Sequence, residues 1–190
     1  MDALKHRIEQ EGLNLGRGIL KIDSFLNHQI DALLMEQVGE AIAAEFGPAQ
    51  PTRVLTAEVS GLIPAAMTGK ALGNIPVVYA RKKKPITMKE PVYVENAPSH
   101  TKGENVSLMV SPEFLCVEDR VLIVDDFLAT GRTIAALARI VQSSGATLVG
   151  IATVVEKTFE GGRDILADWG VPIYAAATIV DMSDGRIQLA

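Results

Sequence analysis

Apolar positions along the chain follow two periods that alternate from one segment to the next. Residues 2–11 place Leu4 and Ile8, with Ala3 beside them, at helical spacing among charges, and this predicts an amphipathic helix. A glycine-rich, partly extended piece follows, GLNLGRGILKID. From about Asn27 to Phe46 the pattern predicts a long helix with Leu33, Leu34, Val38, Ile42 and Phe46 on one face, stopped by Gly47-Pro48. RVLTAEV (53–59) reads as a buried strand, and Ser60-Gly61 turns it into the helix LIPAAMTGKAL, which ends at Gly73. PVVYAR (76–81) is the next strand. Residues 82–105 are polar, hold three prolines and show few periodic apolars, which predicts a mobile loop or a loose β-excursion. VSLMV (106–110) and residues 120–125 are strands. A helix from about Arg132 to Ser144 buries Ile134, Leu137, Ala138 and Val141 and ends at Gly145. A fully apolar strand over 147–156, a short helix RDILADWG and the strands PIYAAATIV and RIQLA complete the chain.

Strand–helix alternation of this kind predicts an α/β fold, a parallel sheet with right-handed crossovers and helices on its faces. Ligands of such sheets bind outside the carboxyl ends of the strands. The chemically notable residues fall there: Ser60 and Gly61 after one strand, Arg81 and three lysines after the next, Asp125 and Asp126 after the third, Lys157 after the fourth. Four strand ends thus converge on one crevice.

Composition sharpens the picture. The chain has 190 residues, enough for one domain with a real core, and its 48% apolar but 5% aromatic content builds that core from Val, Ile, Leu and Ala. A net charge of −5 argues against nucleic-acid binding, whose affinity comes largely from neutralising phosphates. The single cysteine, Cys116, cannot form an internal disulfide and suits a reducing cytoplasm. The N-terminus is charged from the outset and lacks an apolar signal core, and no apolar run approaches the roughly 18 residues of a membrane span.

The chemistry concentrates in VLIVDDFLATGRT, Val121 to Thr133. An apolar strand ends in two carboxylates. A short loop of small and hydroxyl residues follows and opens a helix. The helix N-terminus offers N–H groups and a positive dipole end to a phosphate. Gly131 lets the backbone approach closely, and Thr130 and Thr133 add hydroxyl donors. The carboxylates can accept hydrogen bonds from sugar hydroxyls or stabilise positive charge nearby. Each feature also has a structural use: Asp126 or Thr130 can cap the next helix, Ser60-Gly61 can cap its own, and Arg132 points either to solvent or to the phosphate.

Over these thirteen residues the chain resembles the type I phosphoribosyltransferases, whose signature binds 5-phosphoribosyl 1-pyrophosphate (PRPP). The resemblance implies that Ala129, Thr130, Gly131, Arg132 and Thr133 bind the ribose 5-phosphate. It further implies that Ser60 and Gly61 contact pyrophosphate through backbone N–H groups. Asp125, Asp126 and Arg81 become the catalytic set, with Arg81 favoured over any single lysine of the RKKK run. YARKKKP is similar to the corresponding stretch of the adenine- and xanthine-acting members, and ILKIDSFLNHQID (19–31) and VVEKTFEGGRD (154–164) to the xanthine-acting ones. On that likeness Leu20, Asn27 and Lys157 contact xanthine; by themselves they read as a core leucine, a helix N-cap and a surface lysine.

The resemblance implies a single domain over residues 1–190, with a core at about 48–160 and a small hood from about 1–47 and 161–190. It also implies a loop containing Ser99, His100, Thr101 and Lys102 that closes over the site, Mg²⁺ held mainly through PRPP with no protein metal site, a cytoplasmic homodimer, and transfer of phosphoribose to xanthine in purine salvage. Two other readings stay open. One is the same transfer to guanine, hypoxanthine or adenine. The other is a PRPP-sensing regulator, against which only about 50 non-basic residues precede the first sheet strand.

Overall fold

The computed structural model describes residues 1–98 and 105–190. Its centre is a six-stranded sheet in the order β10-β9-β8-β7-β3-β4. The strands are β3 (Arg53–Ala57), β4 (Val77–Ala80), β7 (Arg120–Leu128), β8 (Thr147–Lys157), β9 (Ile173–Asp181) and β10 (Gln188–Leu189). All neighbouring pairs are parallel except β10, which closes one edge antiparallel to β9. Two hairpins lie outside this sheet: β1 (Leu13–Asn14) with β2 (Leu20–Lys21), and β5 (Tyr93–Pro98) with β6 (Asn105–Val110).

Alternate residues of the central strands feed two separate cores, as period 2 requires of a sheet covered on both faces. Leu122 and Val124 of β7 join Val54, Ala152 and Val154 beneath α1 (Asp2–Glu11), α2 (Ala32–Phe46) and α3 (Leu62–Ala71). Val121 and Ile123 join Leu55 and Ile151 beneath α4 (Arg132–Ser144), α5 (Gly162–Leu166) and the β5–β6 hairpin, which contributes Leu108 and Val110. Helices α3 and α4 therefore lie on opposite faces. The crossover β3–α3–β4 runs towards one edge and β7–α4–β8 towards the other. The order of strands reverses between β3 and β7, and at such a switch point the two connections part and leave a crevice.

Several expected boundaries move. The long helix begins at Ala32, not near Asn27. Asp31 is its N-cap, and the Asp31 carboxylate accepts from the Leu34 N–H at 3.0 Å. Asn27 ends a π-helical turn, Asp23–Asn27, that buries Phe25 and Leu26. Leu33, expected inward, is 66% exposed, because the buried stripe runs through Leu34, Met35, Val38, Ile42 and Phe46 and leaves Leu33 off it. Strand β7 continues through both acids to Leu128, since β8 keeps pairing with it as far as Leu128↔Glu156. Within the polar 82–105 stretch, Tyr93–Pro98 takes the β-excursion form, and the expected closing residues, Ser99 to Lys102, lie outside the described residues. The hairpin is pinned at its root, where Arg81 and Met109 exchange both backbone hydrogen bonds at 2.9 Å.

Helices α2 and α3 touch through backbone. A Cβ on Gly39 would lie 2.5 Å from the Met67 carbonyl carbon, so only glycine permits that approach. Gly39→Ala should therefore force the helices apart and cost about 1–3 kcal/mol. In a urea titration the midpoint should fall with an unchanged slope; an unchanged midpoint would contradict the tight contact.

Candidate active site

A cleft of about 720 Å³ opens at the carboxyl ends of β3, β7 and β8. Ser60, Asp125, Asp126, Ala129, Gly131, Thr133, Leu20 and Lys157 all line it, so eight of the residues singled out by sequence face one volume.

The acid pair sits at the switch point. Asp125 is 6% exposed, and its Oδ1 accepts the Asp126 N–H at 3.0 Å. Its neighbour across the crevice is Gly61, where a Cβ would stand 2.6 Å from Asp125 Oδ1 and 2.3 Å from Thr56 Oγ1. Glycine at 61 thus admits the buried carboxyl. Burial pushes the Asp125 carboxyl well above the usual carboxylate range, the Asp126 charge pushes the same way, and the Lys82 ammonium partly opposes them. Asp126 is half-buried. Its Oδ1 accepts the Phe127 N–H at 2.9 Å, and its Oδ2 accepts from Asn27 Nδ2 at 3.4 Å. Asn27 therefore reaches the acid pair from the π-helical turn.

The loop 129–133 closes on Gly131, whose φ of +73° makes it the left-handed N-cap of α4. The N-cap residues of α4 and α3 are Gly131 and Gly61, neither of which has a side chain to make a cap bond. The loop rests on a second glycine. A Cβ on Gly131 would lie 2.7 Å from the Gly162 carbonyl oxygen, and one on Gly162 would lie 2.2 Å from that of Ala129. Gly162 is held in turn by its neighbour Arg163, which grips the buried Glu156 carboxylate through Nε at 2.8 Å and Nη2 at 2.6 Å. Exposed Arg132 and the loop's Thr130 do not line the cleft.

Arg81 is also absent from the cleft lining. Its Nε pairs with Glu58 Oε2 at 2.8 Å, its guanidinium lies 5.6 Å from the Tyr79 ring, and it borders a different groove. Lys82 lines the cleft instead. Glu58 sets this arrangement, since its other oxygen accepts the Lys82 N–H at 2.6 Å. At the far end Lys157 donates to the Gly18 carbonyl at 2.9 Å, pairs with Glu160 and lies 5.8 Å from the Phe127 ring. Phe127, Lys82 and Glu160 are site residues that the sequence reading did not select. Alternation alone does not place Phe127, which packs on the core of Leu122 and Val124 while Leu128 joins Val121 and Ile123.

A model of the phosphoribosyl transferase domain family matches residues 24–173. The chain belongs to this family. It is 50% identical to a xanthine phosphoribosyltransferase of Deinococcus deserti over 185 residues, covering 97% of this chain and 95% of that one. The xanthine phosphoribosyltransferase of Moorella thermoacetica is 45% identical over 188 residues, 99% of this chain and 95% of the relative. Among solved structures, adenine phosphoribosyltransferase of Rhodothermus marinus superposes with a TM-score of 0.76 at 25% identity, covering 94% of this chain and all of that one. The α/β architecture is thus the type I phosphoribosyltransferase fold, an enzyme fold whose strand ends hold the cleft described above.

The raised Asp125 pKa carries a stability cost. A carboxyl raised on folding loses stability as pH rises above its unfolded value, about 3.9. Asn keeps the oxygen that accepts the Asp126 N–H and removes the buried charge. Asp125→Asn should therefore melt at a higher temperature than the parent near neutral pH, and the gain should fade as pH falls towards 4. A lower melting temperature at neutral pH would contradict the burial argument.

Proposed function

We propose that this phosphoribosyltransferase transfers phosphoribose from PRPP to xanthine, giving XMP and pyrophosphate in purine salvage. The observation that carries the reading is the one cleft joining an α4 N-terminus, the buried Asp125 with its half-buried neighbour Asp126, and a lysine-bearing base end. The names of the relatives at 50% and 45% identity over nearly the full length support xanthine as the acceptor.

Each element has a role in this reading. The loop 129–133 and the first turn of α4 hold the 5-phosphate. Asp126, the more exposed acid, accepts from the ribose hydroxyls. Asp125, buried beneath it, faces the oxocarbenium-like charge that develops as the bond to pyrophosphate breaks, and a carboxylate in a dry setting stabilises that charge strongly. Lys82 and the Ser60-Gly61 turn meet the leaving pyrophosphate. Lys82 takes the part expected of Arg81, which Glu58 already neutralises. Lys157 and Asn27 orient the base, with Leu20 and Phe127 along its apolar surface. Mg²⁺ enters with PRPP, bound mainly by that substrate's own oxygens.

Residues 1–190 act as one unit, with a core at about 48–160 and a hood from about 1–47 and 161–190. A homodimer in the cytoplasm completes the proposal. No helix among the described residues is long and apolar enough to cross a membrane.

Pyrophosphate release with PRPP and Mg²⁺ tests the function. Xanthine should outrun hypoxanthine, guanine and adenine, and the double variant Asp125→Asn, Asp126→Asn should be folded and inactive. Release with another base would discard the acceptor; full activity of the double variant would discard the acid pair. The leaving-group assignment has its own test. Lys82→Ala should raise KM for PRPP or lower kcat by about tenfold or more, a loss of about 1.4 kcal/mol, whereas Arg81→Ala should do less. The reverse order would restore Arg81.

A further inference from the structure

The base end of the cleft is floored by an ion pair that is not a solvated surface pair. Lys157 ends β8, and Glu160 closes the turn that follows it, Thr158–Glu160. Their side chains are 12% and 24% exposed, both line the cleft, and Lys157 Nζ is in direct contact with Glu160 Oε1. The Lys157 ammonium has three N–H groups. One goes to Glu160 and another to the Gly18 carbonyl at 2.9 Å, so a third remains for the cleft. The Glu160 carboxylate likewise has more lone pairs than one lysine can use. The hood turn packs closely on this pair: a Cβ at Gly18 would lie 3.3 Å from the Phe159 ring and 3.7 Å from Glu160 Oε1.

A donor beside an acceptor is a template for a lactam edge, in which a carbonyl oxygen is flanked by a ring N–H. We infer that Glu160 is a specificity-determining residue, whose carboxylate accepts a hydrogen bond from the purine ring N–H next to the carbonyl that Lys157 meets. This rests on the reading above that Lys157 meets the base. The glycosylated nitrogen must point to the acid pair, so the base cannot turn its edge over. An aminopurine then presents an amino donor to the ammonium and a bare ring nitrogen to the carboxylate. Like faces like at both positions, and such mismatches in a buried site discriminate more strongly than missing apolar contacts.

A role limited to anchoring Lys157 would alter the binding of all bases together, so the selectivity ratio is the deciding measurement. KM for xanthine and the inhibition constant of adenine are measured for Glu160→Gln, which keeps the shape and an acceptor for Lys157, and for Lys157→Met. Glu160→Gln should raise KM for xanthine about tenfold, leave KM for PRPP unchanged, and lower the preference for xanthine over adenine. An unchanged preference in Glu160→Gln, with base binding lost in Lys157→Met, would overturn the role of Glu160 and leave the base site in place. If Lys157→Met binds xanthine as the parent does, the base site itself is misplaced and the inference falls with it.

Discussion

A carboxyl group held out of water at a reversal of strand order is the constraint around which this molecule is arranged. Asp125 lies where β3 and β7 send their helices to opposite faces, and only a glycine across the crevice leaves room for it. On the proposed reading the cost of burying such a group is offset where positive charge develops. The core strands on both sides are aliphatic and almost fully enclosed, which gives the site a rigid floor.

Around that floor the site is assembled from distant parts of the chain by a few polar ties. Asn27 reaches Asp126 from the N-terminal π-turn, Lys157 holds the β1–β2 hairpin through the Gly18 carbonyl, and Glu58 assigns different positions to Arg81 and its neighbour. Each tie connects a recognition element to the sheet. On the proposed reading these ties fix the spacing of the phosphate, pyrophosphate and base ends of the substrate pair, the geometric requirement for holding two reactants in line.

The sheet, its helices and most of the cleft were legible in the sequence because period and composition report burial directly. Ile134, Leu137, Ala138 and Val141 are buried as the pattern requires, and the acids, the loop and Lys157 share one cleft. What escaped depends on contacts between segments. The helix start shifted to Ala32 because Asn27, its expected first residue, ends a π-turn and Asp31 supplies the cap, and turn geometry leaves little trace in periodicity. Arg81 and Lys82 are adjacent cations, and only the position of Glu58 separates them. Glu160 reads as a surface acid until its turn folds back against Lys157.

The loop 129–133 also has a hidden partner. Its backbone lies against Gly162, more than thirty positions from the start of the motif and outside it. A chain could keep every letter of ATGRT and still lose the cradle by acquiring a side chain at that glycine. Intact signature residues are therefore insufficient evidence of a working enzyme in this family wherever the same two backbones meet. Degenerate copies that have drifted into inactivity would be recognised by the loss of the supporting glycine while the motif itself still looks sound.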